Sequence, residues 1–333
     1  MQENYNEGAL NLKPFLVDVP VKLNVFVRPE MLEKVFSVVK TARPSILFLV
    51  SDGPRQHVAT DKERVAKSRR VVETVDWDCK VYKLYSDVNK GMITTGKEAR
   101  EFIFSKVDRC IMLEDDVVPS VSFFRFCAEL LEKYKNDLRV HRVCGMNHLG
   151  LYETGGSDYF FSKEGAIWGY AIWKRTYENF DYEFSYAKDS YVMNLLHKQT
   201  NKPKEMWKQY VAYSKGEDFK RIKAGPEFFY ESATNLHNQL NIVASKNMVC
   251  NIGVGEGSLH APDSMKLLPK GIAQVFYMDT YEYTFPLKHP QFVIEDEAYR
   301  KKVNRIMGWG HPLVKIYRRI EVMIRKVIFA SKK

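Results

Sequence analysis

An α/β fold with a mostly parallel central sheet flanked by helices is what this sequence predicts. Three observations carry the prediction. Short apolar runs of strand length alternate with amphipathic segments of helix length through the first half of the chain. Two of the runs are apolar almost throughout, as strands buried on both faces of a parallel sheet are. The spacing between successive runs is that of strand–helix–strand units.

Each element follows from its own pattern. Residues 21–27 (VKLNVFV) alternate and read as a strand. Residues 30–42 have helical spacing, with Met31, Val35, Val38 and Val39 on one side. Residues 45–50 (SILFLV) form a buried strand that ends in Ser51-Asp52-Gly53-Pro54, a strong turn signal. Residues 62–74 read as a basic helix, 79–85 as a strand and 94–105 as a helix. Residues 109–113 (RCIML) are another buried strand, and 122–134 an amphipathic helix. After residue 145 the alternation fades into aromatic-, Gly- and Asn-rich sequence, which reads as an extension packed on the first sheet. The expected division is 1–150 and 151–310 as two halves of one domain, with 311–333 a separate basic amphipathic helix.

Composition narrows the function classes. The 333 residues are 45% hydrophobic and 28% charged, an ordinary globular balance. The formal net charge is +10, which suits anionic lipid or a phosphorylated ligand. No nucleic-acid-binding motif accompanies it, so nucleic acid is not an expected partner. Five dispersed cysteines without C-x-x-C read as reduced thiols, with neither a disulfide framework nor a zinc site. The N-terminal sequence has no apolar signal core, and no run reaches the ~18 apolar residues of a membrane span. The expectation is a cytoplasmic protein.

On a parallel sheet, ligands bind beyond the C-terminal strand ends. The polar residues there are Arg28, Asp52 and the run Glu114-Asp115-Asp116. Adjacent acids after a buried strand are costly unless a cation or donors satisfy them. A hard divalent ion takes oxygen ligands together with substrate phosphates, so the run suggests a metal–nucleotide site. It equally suits the N-terminus of the following helix, whose dipole favours acids.

The stretch IMLEDDVVPSVSFFRFC resembles the acidic motif of the GT-A glycosyltransferases. The likeness is nearest to N-acetylglucosaminyltransferase I and to bacterial family-2-like transferases, where an E-D-D run precedes Pro (here Pro119) and a Phe pair (Phe123-Phe124). VFVRPEMLEKVF, ARPSILFLVSDGPR, NKGMITTGKEAREFIF, IWGYAIWKR and NMVCNIGVGEGSLH resemble further segments of that family in the same order, over about residues 20–262. The resemblance implies a GT-A (Rossmann-like) sheet with a C-terminal acceptor-side extension. It implies a metal-dependent, inverting transfer of a sugar from a UDP-sugar, with UDP-GlcNAc the suggested donor, to a saccharide or lipid-linked saccharide in cell-surface polysaccharide synthesis.

It also implies roles. Asp116 would bind the metal, Asp115 the ribose or a metal-bound water, and Glu114 would orient both. Arg28 would face the phosphates and Asp52 the base, with Gly53, Lys90 and Gly91 beside the nucleotide. Lys97 or Arg100 could reach a phosphate, although both suit a solvated helix face. Glu227 falls at the position of the catalytic base, in a segment that has lost the family's tryptophans; Glu231, Glu217 and Asp218 are its alternatives. His260 falls where the family places a further metal ligand, which would favour Mn2+ over Mg2+, and it suits a loop bonded to backbone as well. Trp168, Gly169 and Tyr170 would lie under the acceptor, and core packing is the other reading of the two aromatics. Asn147 and His148 would lie near the donor sugar.

Residues 313–329 place Ile316, Ile320, Met323, Ile324, Val327 and Ile328 on one helical face and basic residues on much of the rest. That pattern suits an interfacial helix on the inner face of an anionic cell membrane. It also suits a helix docked on the protein or a dimer contact. Two other functions stay open: a metal-dependent nucleotidyltransferase or phosphohydrolase on the same rim, and a non-catalytic sugar-binding module on this scaffold.

Overall fold

The expected alternation is present. β1 (Val17–Asn24), α1 (Pro29–Ala42), β2 (Pro44–Ser51), α2 (Asp61–Val72), β3 (Lys80–Tyr85), α3 (Met92–Phe104) and β4 (Arg109–Leu113) follow one another in the chain. Then come β5 (Val117–Pro119), α4 (Ser122–Lys133), β6 (Val140–Cys144), β7 (Tyr159–Ser162), β8 (Tyr170–Trp173), α5 (Lys174–Tyr177), α6 (Ser190–Thr200) and α7 (Glu227–Leu236). β9 (Leu240–Ala244), β10 (Val249–Asn251), α8 (Lys270–Ala273), α9 (Glu297–Met307) and α10 (Pro312–Ala330) complete the order. This computed structural model describes residues 12–200, 207, 211–212, 227–254 and 264–330, the side chain of residue 330 excepted.

The main sheet has eight strands in the order β3-β2-β1-β4-β8-β6-β9-β7. β1 to β4 pair in parallel, as do β6 and β9. β8 is antiparallel to both β4 and β6, and β7 to β9, so six of the eight strands point one way. Strands from the second half therefore complete the sheet begun by the first, and the fold is mixed α/β with a mainly parallel sheet. β5 and β10 form a separate antiparallel pair.

Helices cover both faces. Alternation in β1 sends Val21 and Leu23 to one face, where Leu32, Val35 and Phe36 of α1 and Phe123, Leu130 and Leu131 of α4 meet them. On the other face Phe48, Met112, Tyr170 and Ile172 pack against Ile103 and Phe104 of α3 and Phe228, Phe229 and Tyr230 of α7. A fully buried Phe or Leu contributes roughly 1.5–3 kcal/mol. An N-cap is worth ~1 kcal/mol. Packing therefore outweighs capping, and α1 holds without any side-chain cap bond, starting instead on Pro29, whose φ suits the first helical position. A third cluster joins α9 to the sheet edge through Phe160, Val243, Tyr299 and Val303. The five cysteines are free thiols.

Candidate functional site

Alternation decides where the acidic run points. Cys110 and Met112 lie on the α3 face and Ile111 and Leu113 on the other. Glu114 continues the first series, on the same side as Lys22 and Asn24 of neighbouring β1. Lys22 Nζ lies 3.5 Å from Glu114 Oε1, and Asn24 Nδ2 donates to Glu114 Oε2. Lys22 is buried, and that burial, partly opposed by Glu114, lowers its pKa. Glu114 is therefore tied to β1.

Asp115 and Asp116 turn to Arg28, the residue just before α1. Arg28 Nη1 donates to Asp116 Oδ2 at 2.5 Å and lies 3.7 Å from Asp115 Oδ1. The three side chains are only 12–17% exposed. Burial first, and then the adjacent Asp116 carboxylate, push Asp115 up to about 7, with Arg28 opposing. Burial foremost raises Asp116 as well, again against Arg28. Asp116 is also pressed from above. Its carbonyl accepts from Ile252 N at 2.9 Å, and the backbone of Gly253 lies so close that a side-chain carbon there would fall on Asp116 Oδ2. The β5–β10 pair makes this closure, because it brings Asn251 opposite Val117.

A second group assembles at the end of β2, the other neighbour of β1. Asp52 Oδ1 accepts from Gly53 N at 2.8 Å and Lys90 N at 2.9 Å, and Oδ2 from Gly91 N at 2.9 Å and Asn89 Nδ2 at 3.1 Å. The carboxylate is thus occupied in shaping the loop that opens α3. Gly53 lies under that loop, where a side-chain carbon would meet Val88 backbone and come 2.7 Å from the Asp87 carbonyl carbon. Gly91 has φ +81°, a conformation that glycine adopts without strain. Lys90 Nζ pairs with Glu98 Oε2 at 2.7 Å.

The remaining residues are placed as follows. Trp168 packs on Phe276, with ring centroids 5.0 Å apart. Gly169 has φ +61° and lies against Val249 and Val117 of the closing pair. Tyr170 is 5% exposed in β8, its hydroxyl 2.5 Å from that of Tyr230. Glu227 opens α7. A short connection joins α7 to β9, which runs parallel to β6, so the first turn of α7 lies toward the rim and its last turn away from it. Glu227 is one turn before Tyr230 and shares its face. Arg100 is buried, bonded to Tyr182 and stacked on Phe180, and Lys97 lies over the Tyr182 ring. Asn147 is buried and bonded to the carbonyls of Ala244 and Ser245, and His148 pairs with Tyr299, burial lowering its pKa to about 4. His260, Glu217 and Asp218 lie outside the described residues.

The charges in direct contact are two cations, Lys22 and Arg28, against three carboxylates. Among the described residues no three His, Cys, Asp or Glu side chains are grouped to hold a metal ion. Glu114 is held to β1, and Asp115 and Asp116, side by side against Arg28, are the pair that would serve as donors. That set fits the way Mg2+ or Mn2+ uses one or two carboxylates plus substrate phosphates and water.

Lys22, Asn24, Asn89, Asn251 and Gly253 do not emerge from the sequence reading. Lys22 and Asn24 carried a signal, being polar, two apart and inside an apolar strand. Asn89 and Gly253 fall within segments that resemble the family but are not singled out there, because their roles depend on contacts across long stretches of chain.

No protein-family model matches the chain, and no curated protein matches it. Among solved structures it is similar to a mannosyltransferase from Pyrobaculum calidifontis in complex with GDP-Man and Mn2+, at 13% identity over 67% of this chain and 72% of that one, TM-score 0.36. It is similar to mouse xyloside xylosyltransferase 1, at 14% identity over 68% and 85%, TM-score 0.36. It is also similar to an apo UDP-glucose pyrophosphorylase, at 10% identity over 70% and 93%, TM-score 0.36. Likenesses at these scores decide nothing about this chain, whose site rests on its own geometry.

Proposed function

We propose that this chain is a metal-dependent glycosyltransferase of GT-A type, moving a sugar from a nucleotide-sugar donor to a saccharide or lipid-linked saccharide acceptor. The observation that carries the reading is the buried Asp115–Asp116 pair, clamped by Arg28 at the C-terminal rim of a parallel sheet. Two buried carboxylates answered by one guanidinium favour an added cation, and the neighbouring Asp52-organised loop offers a nucleotide a preformed wall.

In this reading Asp115 and Asp116 would hold Mn2+ or Mg2+, which when bound would supply charge stabilisation to a departing diphosphate. Arg28, which lies against both aspartates, would face the diphosphate oxygens. Glu114, fixed by Lys22 and Asn24, holds the run in register. Glu227 takes the proton from the acceptor hydroxyl as its oxygen bonds to the anomeric carbon and the bond from that carbon to the diphosphate oxygen breaks. The products are the glycosylated acceptor, with inverted configuration, and a nucleoside diphosphate. A UDP-sugar is the proposed donor, with UDP-GlcNAc the first to try.

Thermal-shift screening of nucleotide sugars with and without Mn2+ tests this. The expected result is a Mn2+-dependent shift selective for a uridine nucleotide and absent in Asp116→Ala. No shift with any nucleotide would remove the proposal. Release of pyrophosphate or nucleoside monophosphate, instead of diphosphate, would assign the rim to nucleotidyl transfer or phosphate hydrolysis.

A further inference from the structure

An amphipathic helix on a globular protein normally turns its apolar stripe to the core. α10 does the reverse. Its docked side is mainly polar, with Val314 and Val322 the half-buried apolar residues there: Arg318 Nη2 donates to the Ile306 carbonyl, and Arg325 Nη1 to the Lys266 carbonyl at 3.1 Å. Glu321 Oε1 accepts from Lys270 N and from Arg325 Nε, both at 2.8 Å. The side left outward carries Ile316, Ile320, Met323, Ile324, Val327 and Ile328, each 48–74% exposed. At ~100° per residue these six cover an arc of about 140°. Lys315, Arg319 and Lys326 fall within about 40° of one another at one edge of that arc. Glu321, the single acid of the helix, is on the docked side.

We propose that this stripe seats in the interface of an anionic lipid bilayer, with α10 lying in the membrane plane. The charge pattern selects that occupant. A basic edge beside an outward apolar arc without acids matches an anionic headgroup layer above acyl chains. A second copy of the chain is a poorer match, because each copy brings a formal net charge of +10 and the same basic edge. Among the described residues no helix is long and apolar enough to cross a membrane, so the contact is one of lying on the surface. At ~1.5 Å per residue the 19-residue helix presents a line of contact about 28 Å long. The proposal does not depend on the chemistry assigned to the rim. It does add that a rim enzyme held this way would meet acceptors carried on lipid.

Flotation of the full chain with vesicles of phosphatidylcholine alone, and of phosphatidylcholine with phosphatidylglycerol, tests it. Wild type is expected to float with the anionic vesicles, at least about tenfold more than with the neutral ones at low salt. Each basic residue near such a surface strengthens partition about fivefold, so Arg319→Glu with Lys326→Glu lowers it at least ~25-fold. Ile320→Glu with Ile324→Glu abolishes flotation while leaving circular dichroism and the unfolding temperature unchanged, because both side chains face outward. Failure of wild type to float on anionic vesicles overturns the proposal, as does undiminished flotation of the Ile320/Ile324 variant. A dimer by light scattering that this variant dissolves, without flotation of wild type, gives the stripe to a second copy and overturns it too.

Discussion

Asp115→Asn isolates the cost of holding the acidic pair out of water. The Asp115 carboxyl is pushed up to about 7 in the folded protein, by burial first and by Asp116 second. In the unfolded chain it titrates near ~3.9. A carboxyl raised on folding holds its proton more tightly in the native state. The stability it permits is therefore complete below about pH 4 and is lost as pH rises through about 7. Three units at ~1.4 kcal/mol each make that loss ~4 kcal/mol by about pH 8. Arg28 at 3.7 Å, Asp116, Glu114 and Lys22 are already included in this net position. Asn keeps the shape and cannot ionise, so the variant escapes the loss.

At ~2.1 cal/mol/K per residue, the unfolding entropy of 333 residues is ~0.7 kcal/mol/K, and ~4 kcal/mol becomes a rise in Tm of about 6 °C. Scanning calorimetry from about pH 4 to about pH 8 should show the Asp115→Asn variant gaining over wild type only as pH climbs through the window. Addition of Mn2+ with a uridine nucleotide should raise the Tm of wild type and leave the variant where it was. A variant less stable than wild type at about pH 8, or a difference constant across the range, would refute this account of the site.

Other changes probe the neighbouring parts. Gly253→Ala puts a carbon on Asp116 Oδ2 and 2.8 Å from its Cγ; displacement of that carboxylate should cost ~10–100-fold in Mn2+ affinity by calorimetric titration, as loss of a ligand's supporting contact does. Asp52→Asn gives the loop donors of residues 89–91 one oxygen in place of two; a loss of ~1–3 kcal/mol in urea unfolding and faster amide exchange at Lys90 and Gly91 are expected. Glu227→Gln should lower turnover by ~10²–10⁴-fold while donor affinity stays unchanged. Equal turnover in that variant would give the base to another group.

Much of the framework is legible in residue order. The first four strands, their helices and the rim position of Arg28, Asp52 and Glu114-Asp115-Asp116 follow from periodicity and connection length, which are local quantities. The helix expected at the C-terminus is there for the same reason. Yet its docking is inverted, because a hydrophobic pattern states which face is apolar and not what that face will meet.

Tertiary structure decided the rest. β8 inserts antiparallel between β4 and β6, a choice that no stretch of local pattern encodes. Lys22 and Asn24 reach Glu114 across some ninety residues of chain, so Glu114 serves β1 and the more deeply buried aspartates are left to Arg28. Asp52 spends its oxygens on the loop before α3, and Gly253 closes on Asp116 only because β10 pairs with β5. Residue type alone announced the acids. Their division of labour comes from burial and pairing, which exist only once distant segments have met.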